Sequence, residues 1–391
     1  MEVTFRAVRP DEFETCLDVW DAAFEETPRE YFRKYFVGDP WFHPEYTRCA
    51  FEGNRMVAAV QIVRREVRVG QGTLTLGGIA NVGTVPAYRS KGYSTQLLRD
   101  AITVMENEGF DFSMLFTGIH GFYTRLGWES APVQVMSAEI RPELPTPEGG
   151  YRIRPLADAD LEALCACYEQ CNAGRSLTVV RSPAYLRGWT GWDERTPDNV
   201  YVAETAGKLV GYIAAPIGDQ LSITEVGWLP TYSECVFALM LHVARLATER
   251  QVTQARLHIP RDPVLMEVVR NLFHRFTWHE SAPMVRVIRL QPLINKLLPE
   301  LSRRVQMVGA KGTVRLRLQA GTVGLKATGD EVVRDASALP EVTRTQAQFL
   351  GLVFGLVGAE ELPPSVPAQT RALLNVLFPR QPAIYWSWDG F

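Results

Sequence analysis

Nowhere in this chain do apolar residues run on for the roughly 18 positions that a membrane-spanning helix requires, so no spanning helix is expected. Charge of one sign is missing as well: 41 lysines and arginines oppose 44 aspartates and glutamates, for a net charge of −3. That balance gives no global support for nucleic acid, whose phosphates select a basic face. Cysteine is scarce, six in 391 residues, and no CxxC pair occurs. Cys165 and Cys167 are two apart, which on a helix turns them to different faces. The six histidines form no HExxH. No metal is expected, and the cysteines read as reduced side chains packed like small apolar groups. The opening MEVTFRAVRPDEF has no cation-then-apolar order of the kind a secretory signal carries, which predicts a cytoplasmic location.

What is present is a repeat. The composition, 46% hydrophobic and 22% charged, is that of a soluble globular protein, and the length suits two or three domains of about 100–200 residues. VGTVPAYRSKGYS from Val82 and VGWLPTYSECVFA from Val226 share Val-Gly, an aliphatic, Pro and Tyr in register. FYTRLGWESAP from Phe122 meets LFHRFTWHESAP from Leu272. The unit starts FRAVRPDEFETCLDVW and YRIRPLADADLEALCACY each read as strand, turn and amphipathic helix, and glycine-marked hairpins follow both. Agreement at four ordered points indicates duplication. Two homologous α/β domains are expected, 1–145 and 151–290, joined by the proline- and glycine-rich RPELPTPEGGY. The remainder, 291–391, lacks the repeat. GTVRLRLQAGTVGLKATGD alternates like a hairpin, two apolar segments have helical spacing, and PAIYWSWDGF ends the chain, so a third, α+β domain is expected.

The loop TVPAYRSKGYS follows a β-branched run and precedes the helical stripe Leu97, Leu98, Ala101, Ile102 and Met105. A strand-to-helix turn results, with the amides of the first helical turn exposed at the positive end of the peptide dipole. Such an end binds phosphate, Arg89 and Lys91 add charge beside it, and Gly92 allows an anion to approach the backbone. Thr84 and Val85 offer backbone groups to an extended ligand arm. A surface turn with merely solvated cations has the same local sequence. In the second copy Arg89, Ser90, Lys91 and Gly92 become Ser233, Glu234, Cys235 and Val236. The frame persists while both cations and the glycine are lost, so the first copy is read as binding an anion and the second as packing.

These residues resemble the acetyl-CoA signature of the GCN5-related N-acetyltransferase (GNAT) superfamily, Arg/Gln-x-x-Gly-x-Gly/Ala after a V-x-P-x-Y strand end, here Arg89-Ser-Lys-Gly92-Tyr-Ser94. Ser94 stands where that family usually has Gly or Ala, and Thr84 where valine is common. One intact unit, a degenerate copy, a tail domain and a final phenylalanine together look like the Eis-type (enhanced intracellular survival) acetyltransferases over essentially the whole chain. The resemblance implies an α/β (α+β) fold: two tandem GNAT-type mixed-sheet domains and a sterol-carrier-protein-like α+β domain. It implies acetyl-CoA as co-substrate, held by Thr84, Val85, Arg89, Ser90, Lys91, Gly92, Tyr93, Ser94 and Thr95. It further implies direct acetyl transfer to amines, with aminoglycosides and lysine side chains as candidate acceptors, and a homohexamer.

Tyr123 matches the family's Y-x-x-x-G-[YW] motif through Gly127 and Trp128, and Phe391 matches the terminal carboxylate that the family uses in catalysis. A phenol, ordinarily titrating near 10, stays protonated at neutral pH and can return a proton to a departing thiolate. A half-buried core tyrosine is the other reading. Its counterpart Phe273 has no hydroxyl, so the phenol disappears together with the loop. The terminus in IYWSWDGF is too apolar to be left in water; its α-carboxylate is either the base that deprotonates the amine or simply an anchored end. Trp20, Phe24, Glu25 and Glu26, with Asp389, are candidate contacts for a cationic amine, though an exposed helix end looks the same. No cysteine is placed as an acyl-carrying nucleophile. The alternatives are a non-catalytic acyl-CoA sensor and a lipid carrier acting through the tail domain.

Overall fold

In the first unit the expected strand–turn–helix start appears as β1 (Val3–Ala7) and α1 (Phe13–Ala23), followed by α2 (Arg29–Val37). Then come β2 (Thr47–Glu52), β3 (Arg55–Val69), β4 (Gly72–Thr84), α3 (Tyr93–Asn107) and β5 (Phe112–Leu115). The short α4 (His120–Thr124), β6 (Glu129–Ser130) and β7 (Val133–Ile140) complete it. The computed structural model describes residues 2–146, 149–189 and 196–391. The hairpin of β3 and β4 turns at Gly70, whose φ of +58° suits glycine. A Cβ there would also stand 2.2 Å from the Glu300 carboxylate.

The second unit contains β8 (Arg152–Pro155), α5 (Leu161–Asn172), α6 (Pro183–Trp189), β9 (Val200–Thr205) and β10 (Lys208–Ala214). It continues through β11 (Leu221–Ile223), β12 (Glu225–Trp228), α7 (Cys235–Glu249) and β13 (Gln254–Leu257). It ends with α8 (Pro263–Leu272), β14 (Phe273–Ser281) and β15 (Met284–Val287). The third unit begins with α9 (Leu290–Val308), then β16 (Lys311–Leu318), β17 (Gly321–Thr328), β18 (Val332–Arg334) and β19 (Glu341–Thr343). Helices α10 (Gln346–Phe354) and α11 (Ala368–Leu377) follow.

The architecture is mixed α/β with several sheets, as expected, but the sheets do not follow the linear division at residue 145. The first sheet has the order β1-β2-β3-β4-β5-β15-β6. Strand β15, from the second repeat, pairs antiparallel with β5, Met284 facing Leu115. Conversely β7, from the first repeat, lies between β13 and β14 in a sheet of order β11-β13-β7-β14. The repeats have thus exchanged their last strands. Met136, Ala138 and Ile140 of β7 alternate into the second unit's core, while Met284 of β15 enters the core around α3. Strands with the same alternation satisfy either sheet, because period-2 patterning fixes a face and not a partner.

The second unit's other sheet is β12-β10-β9-β8, and the third unit's is β18-β17-β16-β19. Helix α9 packs across β4 and fuses the first and third units: Val67, Val69, Leu74 and Leu76 share one core with Leu293, Ile294 and Leu297. Lys296 Nζ adds a 2.6 Å ion pair with buried Asp111. All six cysteines are free, and five of them are buried. Among the described residues no helix is long and apolar enough to cross a membrane.

Candidate functional site

Strands β4 and β5 are parallel neighbours only over Leu76–Gly78 and Phe112–Met114. Beyond this they part, and β4 carries a register shift with Asn81 at φ +52°. A cleft of about 420 Å³ opens here. Its walls include Thr84, Arg89, Gly92 and Ser94 from the loop, Phe24 from the residue after α1, and Tyr123 from α4.

The start of α3 is built to stay open. Gly92 is its N-cap in the left-handed region (φ +82°), and no side chain caps the helix. A Cβ at Gly92 would meet nothing within 4 Å, so the glycine is required by its backbone angle and leaves free space above the amides. The first amides of a helix have no partner within it. At Gly92 they face the cleft with the dipole's positive end behind them. The Arg89 guanidinium is tethered to two backbone carbonyls, Thr84 O at 3.4 Å and Ala23 O at 3.2 Å, which keeps it at the cleft's edge. Thr84 Oγ1 and Ser94 Oγ are 2.7 Å apart and tie the strand end to the helix start. Lys91 does not line the cleft. Its ammonium pairs with Glu52 at 3.1 Å, and Tyr93 donates its hydroxyl to the same carboxylate at 3.0 Å. Lys91 therefore ties the loop to β2 through Glu52 and does not point its ammonium into the cleft where its charge was expected.

Tyr123 is 7% exposed on α4, with Phe122 and Trp128 rings at 5.0 and 6.2 Å. Burial alone pushes its phenol up to about 12, so it is a protonated donor throughout the neutral range. Trp128 is fixed in turn by its indole N–H donating to Ser113 Oγ at 3.2 Å. Phe391 approaches from the other face of the sheet. A Cβ on Gly77 would point at Met105 and Phe110, under α3, whereas one on Gly78 would stand 2.4–2.6 Å from three ring carbons of Phe391. The Phe391 ring also lies 5.5 Å from Phe116, just past β5. Tyr123 and Phe391 thus flank the parting of β4 and β5 from opposite faces.

Pro86–Tyr88 of the first repeat is a one-turn 3-10 helix, and the same frame in the second repeat makes another at Pro230–Tyr232, but there the chain continues directly into α7. Ser233 and Glu234 are both helical, at φ −59° and −63°. The amides of Val236 and Phe237 bond back to the carbonyls of Ser233 and Glu234 at 3.1 and 3.2 Å. No left-handed residue opens the turn, and Glu234 stands at its mouth. The interior of this unit instead grips the chain's end. Arg181 donates to Glu225 at 2.7 and 2.6 Å and twice to Asp389 at 2.8 Å. Tyr185 donates to Asp389 at 3.0 Å and Tyr212 to Glu225 at 2.6 Å. Burial alone would lower the Arg181 guanidinium, but the two carboxylates outweigh it and raise it well above its ordinary value. Trp386 and Trp388 enter the same core, and the Trp386 indole donates to Asn172 at 3.0 Å.

Two candidate substrate contacts are corrected by this arrangement. Asp389 is 0% exposed and bonded on both oxygens, so it locks the tail and does not meet an amine. Trp20 is 0% exposed, packed behind Gly83 and against Phe32 and Phe36. Glu25 and Glu26 are exposed in the turn after α1 and line neither the cleft nor the larger cavity at the unit junction. Val85 spends its amide on Val57 O and lies outside the cleft, whereas Ser90, Tyr93 and Thr95 are among its lining residues. Sequence reasoning missed Ile119 and Phe122, which form the apolar wall, and missed the Arg181–Glu225 pair. The signal for that pair was a single charge inside each of two apolar stretches, SLTVVRSPAYL and LSITEVGWLP. Among the described residues no cluster of three or more His, Cys, Asp or Glu is placed to hold a metal ion.

Residues 4–131 match the family model described as an acetyltransferase (GNAT) domain. Over 104 residues the chain is 34% identical to N-alpha-acetyltransferase 30 of Schizosaccharomyces pombe, covering 25% of this chain and 65% of that relative's length. Solved structures share the whole-chain fold. A protein of unknown function from Enterococcus faecalis, described as a probable N-acyltransferase, superposes with TM-score 0.74 at 16% identity over 100% of both chains. A GCN5-related N-acetyltransferase from Kribbella flavida gives 0.71 at 18%, over 100% of this chain and 98% of that one. Eis1 from Mycobacterium abscessus gives 0.67 at 16%, over 99% and 100%.

Proposed function

We propose that this protein is an acetyl-CoA-dependent N-acetyltransferase that passes the acetyl group directly to an amine. The observation that carries the reading is the difference between the repeats: one helix start left open by left-handed Gly92 beside Arg89 and Tyr123, the other closed by its own carbonyls and Glu234. The pyrophosphate lies on the amides after Gly92 with Arg89 beside it, and the thioester reaches the parting of β4 and β5. The amine nitrogen attacks the thioester carbonyl carbon, forming the C–N bond as the C–S bond breaks. Tyr123 gives its proton to the leaving thiolate. The amine's proton passes to the α-carboxylate of Phe391 from the opposite face, directly or through water. The match of residues 4–131 to an acetyltransferase domain supports the reaction class.

The test combines coenzyme A binding by calorimetry with thiol release from acetyl-CoA in the presence of amines. Arg89→Glu is expected to raise the acetyl-CoA KM by about tenfold or more with kcat little changed, since it removes one charge-assisted contact worth about 1.5–3 kcal/mol. Unaltered coenzyme A affinity in this variant, or coenzyme A bound away from Gly92 in a crystal, overturns the reading. Two further variants address the base. A Gly-Ser extension after Phe391 removes its carboxylate, and Gly78→Ala expels its ring from its seat. Because displacement of a reacting group by about 1 Å costs on the order of 10²-fold, each should lower kcat to that extent. Wild-type kcat in both would transfer the role to an internal carboxylate.

A further inference from the structure

A cavity of about 1100 Å³ lies where the three units meet, on the Phe391 side of the first sheet. Tyr31 and Phe116 of the first unit, Leu177 and Trp278 of the second, and Leu356 and Tyr385 of the third contribute to its wall. Its size is just above the range of about 300–1,000 Å³ for small-molecule sites. The charges around it decide what it can accept. Among the described lining residues the only acidic side chain is Glu361, and Arg380 already donates to it. The cationic members are Lys34, Arg261 and Arg380. Lys34 is 1% exposed with its ammonium 3.7 Å from the Tyr31 ring centre, and Arg261 stands 4.7 Å over the exposed Trp278 ring. His258 also lines the space; burial, then Arg256, push its imidazole down to about 4, so it is neutral at pH 7.

We propose that this cavity takes the acceptor, and that the acceptor is a monoamine on a large apolar, aromatic-bearing body and not a polycation. The inference rests on the acetyl-transfer reading for its chemistry: one ammonium group meets the Phe391 carboxylate, and the remainder fills the apolar junction. Every additional ammonium would enter a space whose one acidic side chain, Glu361, is already held by Arg380, and whose wall otherwise carries cationic and neutral side chains. A charge taken from water without a partner costs far more than apolar contact returns. This departs from the aminoglycoside expectation that the resemblance carries; of the carboxylates named as contacts for a cationic amine, Asp389 is locked and Glu25 and Glu26 lie outside the cavity.

Calorimetry on the full-length protein with tryptamine and with spermidine tests the assignment. Tryptamine is expected to bind at least about tenfold more tightly, a difference of about 1.4 kcal/mol. Ala383→Trp, which fills part of the cavity, should weaken tryptamine by a similar factor and leave coenzyme A binding unchanged. If that variant does not fold, Trp278→Ala at an exposed wall position should weaken tryptamine about three- to tenfold, the worth of one aromatic contact. Tighter binding of spermidine, or tryptamine affinity indifferent to both substitutions, overturns the proposal. Turnover separates the two readings. Tryptamine bound as described without acetylated product defeats the transferase assignment and leaves the cavity assignment standing; faster acetylation of spermidine does the reverse.

Discussion

Tyr123→Phe is expected to lower kcat by about 10²–10⁴-fold, the usual worth of a positioned general acid, with coenzyme A affinity and folding preserved. The substitution removes one oxygen and keeps the ring that packs against Phe122 and Trp128. The hydroxyl is displaced from its ordinary titration by burial alone, so no ion pair or buried network is broken with it. Helix α4 keeps its own supports, with Leu126 and Trp128 amides on the Tyr123 carbonyl at 2.9 and 3.2 Å. Steady-state thiol release with a saturating amine checks the effect. The pH profile supplies a second check. Because the phenol is pushed up to about 12, the wild-type enzyme should hold its activity past pH 10, where an ordinary tyrosine ionises, and lose the donor only near 12. A variant within a few-fold of wild type would return Tyr123 to the core.

Arg181→Leu is expected to be the most damaging substitution for stability, costing about 3–5 kcal/mol at pH 7, because it strips the counter-ion from a buried cluster. Glu225 and Asp389 would remain, both 0% exposed, with only tyrosine hydroxyls to answer them. The pH dependence identifies the cause. Burial already raises the Glu225 carboxyl even with Arg181 beside it to lower it, so without Arg181 the folded form prefers the proton there more strongly. The penalty is therefore greatest at neutral pH and shrinks as pH falls toward 5, whereas a mere loss of packing would be independent of pH. Denaturant unfolding at both pH values measures this, and an equal deficit at the two would refute the charge argument. The same variant should lose turnover, since Asp389 stands two residues before Phe391 and Trp388 packs in the same core.

Much of the candidate site could be read from the chain. The open helix start at Gly92, the frame shared by Pro86 and Pro230, and the loss of the phenol at Phe273 are local features. They depend on one residue's backbone freedom or one side chain's chemistry, and a duplicate within the same chain exposed them. Lys91 was misread because a cation beside an anion site and a cation bonded to Glu52 are identical in sequence. Asp389 was misread for a related reason: a carboxylate near a terminus looks solvated until Arg181, more than two hundred residues away, is seen beside it.

The sequence by itself determined which faces are apolar, where helices start, that the Val-Gly-x-x-Pro-x-Tyr frame occurs twice, and which occurrence carries the glycine that opens its turn. Short-range sterics and periodic burial encode all of these. Only the tertiary structure decided which sheet each unit's last strand joins, that the second unit's core holds the chain's last residues, and that a cavity lined by all three units lies against Phe391. Alternation states that a strand has an inner face, and any sheet with a free edge and a matching core satisfies it. The choice of partner is a property of edges and charges brought together from distant segments, which no window of sequence contains.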